Sequence, residues 1–147
     1  MPFAFIAAMV CTVVLMVTNA YFLMGSLPLL TLKHDTPLDA RFIRGFYDTY
    51  YLFAICTAVP AAISYAFLGR PYFAVGAGAL AALAFALRRI VPQRMDKLRS
   101  RIVVREDQVA AILEFRRLHV VAIVINVVQL ALIVGCMIAL SVAMKAE

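Results

Sequence analysis

Four stretches of this chain carry no Asp, Glu, Lys or Arg. They are residues 1–32, 49–69, 71–87 and 118–144, with lengths of 32, 21, 17 and 27 residues. A helix crosses a hydrocarbon layer of about 30 Å with about 20 apolar residues. Lipid offers no partner to backbone N–H and C=O groups, so spanning segments are helices or closed barrels. Barrel strands read as short alternating segments, and these runs are continuous. The pattern predicts an all-α fold, a four-transmembrane-helix bundle. Its helices are expected over about residues 3–24, 46–67, 72–90 and 119–142, in one integral membrane domain spanning residues 1–147.

Composition closes the other routes. Apolar residues make up 65% of the chain and charged residues 15%, with a mean hydropathy of +0.96. Soluble domains sit near 45–50% apolar and about 25% charged. A core of 147 residues cannot hold that apolar excess, so most of it must face lipid. A soluble globular enzyme, a disordered tail and a nucleic-acid-binding domain are excluded on this ground. The first run exceeds the apolar length of about 7–15 residues found in secretory signals and lacks a basic stretch before it. It is therefore expected to be retained.

The placement of charge predicts orientation. The connection after the first helix holds Lys33, Arg41 and Arg44. The connection after the third holds Arg88, Arg89, Arg94, Lys97, Arg99, Arg101, Arg105, Arg116 and Arg117. Twelve of the 14 Lys and Arg thus lie on one side, with Arg70 and Lys145 on the other. The positive-inside rule assigns the twelve to the cytoplasm of a cytoplasmic (inner) membrane, with both termini outside. The net charge of +6 and the pI near 9.6 then reflect topology and attraction to anionic lipid, not nucleic-acid binding.

Both basic connections carry structural signals. In Asp35-Thr36-Pro37-Leu38-Asp39, Thr36 suits a helix N-cap, Pro37 the first helical position and Asp39 a capping box. The resulting helix would run through Gly45 into the second span. Tyr47, Tyr50 and Tyr51 fall where an aromatic belt belongs. Gly25-Ser26-Leu27-Pro28 is expected to end or kink the first helix, because Pro lacks a donor and clashes with the preceding turn. Met95, Leu98 and Ile102 recur at helical spacing, as do Val109, Ile112, Leu113 and Phe115. With Pro92 as a kink, helices three and four are expected to continue past the membrane as a cytoplasmic helical extension. Its turn would lie near residues 104–107. Ala74, Gly78, Ala82 and Ala86 form a small-residue face on helix three. That face packs within the bundle or against another subunit.

Polar residues inside the spans point to the candidate site. His119, Asn126 and Gln129 share one face of helix four, and polar side chains in membrane helices turn toward the bundle interior. Thr12, Thr18 and Asn19 on helix one are available to meet them. Asn19, His119, Asn126 and Gln129 are the candidate ligand-binding residues. His119, Asn126, Tyr47 and Asp48 are the candidate catalytic set, with Glu114 and His34 near the same membrane edge. The bland alternative is hydrogen bonding between helices. Arg88, Arg89, Arg94, Arg116 and Arg117 are the candidate lipid- or partner-binding residues. Two histidines without metal-ligand spacing predict no metal site, and no cofactor is predicted. Cys11, Cys56 and Cys136 read as small buried hydrophobes, and their odd number argues against a disulfide framework. Phosphate-loop, dinucleotide and zinc-protease signatures are absent. No ionisable residue lies deep in a span, where proton-coupled exporters keep one.

The segment Phe115-Arg116-Arg117-Leu118-His119, with Asn126 beyond it and Pro92 after helix three, resembles small bacterial four-helix membrane proteins of unknown function. Those proteins look distantly like the anthrone-oxygenase-like membrane family. The resemblance implies a four-helix fold and, in the oxygenase-like relatives, metal-free oxidation of an aromatic substrate, resting here on His119 and Asn126. With no complete catalytic constellation in the sequence, the expected function is a non-catalytic membrane subunit or scaffold. Its partners would be membrane lipids and another membrane protein or a second copy. The alternative is an oxygenase- or oxidoreductase-like enzyme, or a quinone- or lipid-binding protein, with a site at the cytoplasmic membrane edge.

Overall fold

A computed structural model of the chain describes residues 2–30, 37–104 and 108–145. Four helices account for nearly all of them: α1 (Pro2–Leu29), α2 (Pro37–Phe67), α3 (Pro71–Val104) and α4 (Gln108–Lys145). No strand occurs among the described residues. Each helix contains a segment long and apolar enough to cross a membrane: Phe3–Leu29, Arg41–Phe67, Pro71–Arg101 and Val109–Val142. The chain is an all-α four-helix bundle and an integral membrane protein.

The helices run further than the charge-free stretches because hydropathy marks only the part that sits among apolar surroundings. α2 begins at Pro37, and α3 and α4 continue through the basic connection as a helical pair. Two cues proved local in effect. α1 passes through Gly25 and reaches Leu29, with Pro28 in its last turn. There the missing donor costs one bond at a helix that is already ending. α3 likewise passes through Pro92, which is buried. The Asp35–Thr36 cap, His34 and the turn at Arg105–Asp107 lie outside the described residues.

The connection from α2 to α3 is a Schellman stop. Gly69 takes φ +66°, a left-handed conformation that costs glycine no Cβ clash. Arg70 N donates to Tyr65 O at 3.0 Å and Gly69 N to Ala66 O at 3.1 Å. Pro71 then opens α3 at the position where its missing donor is harmless. Pro60 interrupts the ladder inside α2. Nearby, Thr57 Oγ1 donates to Phe53 O at 2.9 Å, a local use of a hydroxyl that apolar surroundings favour.

The helices form a ring in which α1 neighbours α2, α2 neighbours α3, α3 neighbours α4, and α4 closes on α1. α2 supplies the main inward face: Ile43, Tyr47, Tyr50, Tyr51, Ala54, Ala58, Ala61 and Tyr65 are all buried. Val121, Val124, Val128 and Leu132 on α4 point outward, as lipid contact requires. At the basic end, Met95 and Leu98 of α3 and Ala111 and Phe115 of α4 are buried, so the helical pair has its own apolar seam. Val109 and Leu113 were expected in that seam but are exposed. The contact stripe steps by four residues through Ala111, Phe115 and His119, which turns them away. Ala82 and Ala86 also face outward, and the inward positions of α3 are Ala81 and Ala84. The small-residue face therefore divides: Ala74 packs against the core beside Ala61 and Tyr65 and Gly78 is half-buried, whereas Ala82 and Ala86 face outward.

Among the described residues, three ion pairs tie the basic end. Arg44 Nε meets Asp96 Oδ2 at 3.1 Å, Arg88 Nε meets Asp48 Oδ1 at 3.1 Å, and Arg101 Nη1 meets Glu114 Oε2 at 3.3 Å. All are partly exposed, so each contributes about 0–1 kcal/mol and chiefly sets register.

α1 and α2 approach closely at Gly25. A Cβ built there meets Phe46 Cζ at 2.8 Å, and Phe46 is itself held by Phe22 at 4.6 Å between ring centroids. Gly25→Leu should therefore cost about 1–3 kcal/mol through overpacking, read as a lower melting midpoint by circular dichroism in detergent. Adding Phe46→Leu should recover part of the loss.

Candidate functional site

Helical spacing builds the site. Tyr47, Tyr50 and Tyr51 occupy successive inward positions of α2, and their relative exposures are 1%, 2% and 1%. They are core residues, not the aromatic belt that their place near the span's end suggested. The reason is register: they continue the stripe of Ala54, Ala58 and Ala61, which faces the ring's interior. Across the diagonal, α4 turns His119, Asn126 and Gln129 inward, and α1 turns Asn19 and Ser26 inward; all five are buried. The expected grouping of Asn19, His119, Asn126 and Gln129 is thus present, and Tyr50 joins it.

Tyr50 is the bridge. Its hydroxyl lies 2.8 Å from Asn126 Oδ1 and 3.0 Å from Gln129 Oε1. A phenol has one hydrogen to donate. It serves one amide oxygen, and the other amide must offer its NH₂ to the phenol oxygen. Asn19 also faces Tyr50. Tyr47 meets His119 edge to face, with ring centroids 5.6 Å apart at 86°, and stacks on Tyr51 at 6.0 Å. Ser26 Oγ donates to Leu23 O at 2.9 Å, and its side chain faces Tyr47.

Asn19 Oδ1, Tyr47 OH and Tyr51 OH are buried with no hydrogen-bond partner among the described residues. Asn19, Tyr50 and Gln129 share the wall of a cavity of about 10 Å³. That is about the room one water takes, and the polar wall suits one. The cluster is neutral apart from the imidazole of His119. It can exchange hydrogen bonds and hold a water, but no charged side chain enters it.

The acid/base set does not assemble. Asp48 follows Tyr47 in sequence but points to Arg88 of α3. Glu114 points to Arg101. Asp48 lies about 100° around the helix from Tyr47, on the side where Arg88 of α3 meets it. Among the described residues, no group of three His, Cys, Asp or Glu could hold a metal. Cys56 and Cys136 are exposed on the helix surface, contrary to the buried positions expected for them, and Cys11 is half-buried. Thr18 is half-buried. Thr12 pairs with Tyr65 at 2.9 Å, a contact that sequence spacing did not suggest.

The arginines divide. Arg94 and Arg117 line a groove of about 570 Å³ between α3 and α4, together with Lys97, Arg101 and Glu114, over a floor of Leu98, Leu118 and Val121. Lys97 and Arg101 were not among the candidates, although they lie three and seven residues beyond Arg94, on one side of α3. Arg88 is engaged with Asp48. Arg89 lies over the Phe85 ring at 5.3 Å. Arg116 is exposed beside the groove-lining Arg117. No protein-family model, characterised protein or solved structure matches the chain.

Tyr50→Phe removes the bridging hydroxyl and leaves two buried amides short of a partner. The expected loss is about 1–2 kcal/mol, measured by unfolding in mixed micelles. In an Asn126→Leu background the same change should cost less. Asp48→Asn should shift stability by less than about 1 kcal/mol.

Proposed function

We propose that this is a non-catalytic subunit or scaffold of the cytoplasmic membrane, with both termini outside, that binds anionic phospholipid and a membrane partner. The groove between α3 and α4 carries the reading. It gathers Arg94, Lys97, Arg101 and Arg117 against the single acid Glu114, over apolar Leu98, Leu118 and Val121. Positive side chains above an apolar floor match a phosphate headgroup with its acyl chain below. Arg recognises phosphate oxygens in a two-pronged manner. The outward end of the small-residue face, at Ala82 and Ala86, is the surface we assign to a partner helix, because small residues allow close approach.

The other reading is an oxidoreductase-like or quinone-binding site at His119 and Asn126, in line with the likeness to anthrone-oxygenase-like proteins. Buried polar atoms at Asn19, Tyr47 and Tyr51 favour it. The space beside Asn19 and Tyr50, about 10 Å³, suits a water and not a ring. That difference in size makes the lipid-binding reading the stronger one.

Native mass spectrometry from mixed vesicles tests it. The protein should retain phosphatidylglycerol over phosphatidylcholine. Each groove charge is worth about 1 kcal/mol, so Arg94→Glu with Arg117→Glu should erase the preference while leaving helicity intact. Equal retention of both lipids by the unaltered protein would sink the proposal. An epitope at either terminus should be reachable by antibody from outside intact spheroplasts.

A further inference from the structure

A second cavity lies in the half of the bundle away from the basic end, and its volume is about 270 Å³. α2 and α3 wall it with small residues, Ala61, Gly76 and Ala77, and Leu83 of α3 and Leu132 of α4 also line it. Both leucines are exposed and both lie in membrane-spanning segments, so this side of the cavity borders the lipid. The wall is almost wholly apolar. Its principal polar feature is the Thr12–Tyr65 pair, with the thiol of Cys136 as a weaker one.

The proton count in that pair is decided by its neighbours. Thr12 Oγ1 donates its one hydrogen to Ala8 O at 2.7 Å. It must therefore accept from Tyr65, whose hydroxyl lies 2.9 Å away. Tyr65 has then spent its hydrogen, and its oxygen keeps acceptor capacity only. Tyr65 is 5% exposed, so water has little access to that oxygen. A group bound here gains from bringing a donor and gains nothing from a bare carbonyl.

We propose that this cavity binds an apolar molecule of roughly ten carbons bearing one hydroxyl, which donates to the Tyr65 oxygen. The size follows from comparison with a cavity of about 150 Å³ that takes benzene. The site is separate from the basic groove and does not rest on the reading given above.

The test uses two isomers, 1-decanol and 1-methoxynonane, which differ in the presence of a donor. Binding to the full chain in nanodiscs is measured by calorimetry against empty nanodiscs. The expected result is saturable one-to-one binding of decanol, at least tenfold tighter than the ether. Thr12→Val with Tyr65→Phe removes both oxygens and should bring decanol down to the ether's affinity. A Cβ at Gly76 meets nothing within 4 Å, so Gly76→Leu fills the space without a backbone clash and should abolish binding at unchanged helicity. Equal affinity for the two isomers overturns the proposal and assigns the cavity to ordinary acyl chains. Binding that survives Gly76→Leu, or no saturable binding, overturns it as well.

Discussion

Two helices that do not touch along their backbones are hydrogen-bonded to each other through the Tyr50 phenol. α2 and α4 sit on a diagonal of the ring, and the Tyr50 hydroxyl reaches both Asn126 and Gln129 across it. Hydrocarbon cannot hydrogen-bond, so these amides must find partners within the protein. That requirement turns α4's polar face inward, and α4's rotation in turn leaves its valines facing lipid. The ring of neighbour contacts could close with several rotations of each helix. The diagonal bond selects one.

The inward face of α2 also shapes the empty space. Tyrosines fill the basic half at positions 47, 50 and 51, alanines follow at 54, 58 and 61, and Tyr65 closes the far end. Bulky side chains pack the first region until only about 10 Å³ remains. Ala54 and Ala58 still border that small space, and Ala61 and Tyr65 border the lateral cavity. One helix thus sets where the bundle is solid and where it is open. Leu15, Leu80 and Ile133 line both spaces and separate them. A polar interior and an apolar recess coexist within one ring of helices because that partition keeps them apart.

The number of helices, their class and their membrane character were legible, because the absence of charge over 17 to 32 residues has few physical causes. The inward polar face of α4 was legible too, since His119, Asn126 and Gln129 repeat at helical spacing. The roles of the tyrosines were not. An aromatic residue near a span's end satisfies an interface belt and a buried core equally well, and only the rotation of α2 distinguishes them. Asp48 was misjudged for the same reason: nearness in sequence to Tyr47 says nothing about sharing its direction on a helix. The Thr12–Tyr65 pair joins residues 53 positions apart, and neither helix's periodicity contains that information. The Gly25–Pro28 segment marked the end of α1 only to within a few residues, since the helix runs to Leu29, and α3 continues through Pro92 as expected.

The stop at Leu68, Gly69 and Arg70 bears on how the chain enters its membrane. The left-handed glycine and the following proline leave α2 and α3 no slack between them. Neither helix can cross while the other lies flat on the surface. The two therefore behave as a single antiparallel hairpin with Arg70 at its tip. α1 and α4 come from opposite parts of the chain and close the ring by their contact. The α2–α3 turn is thus a short tether in the ring, and it couples the placement of one helix to that of the other.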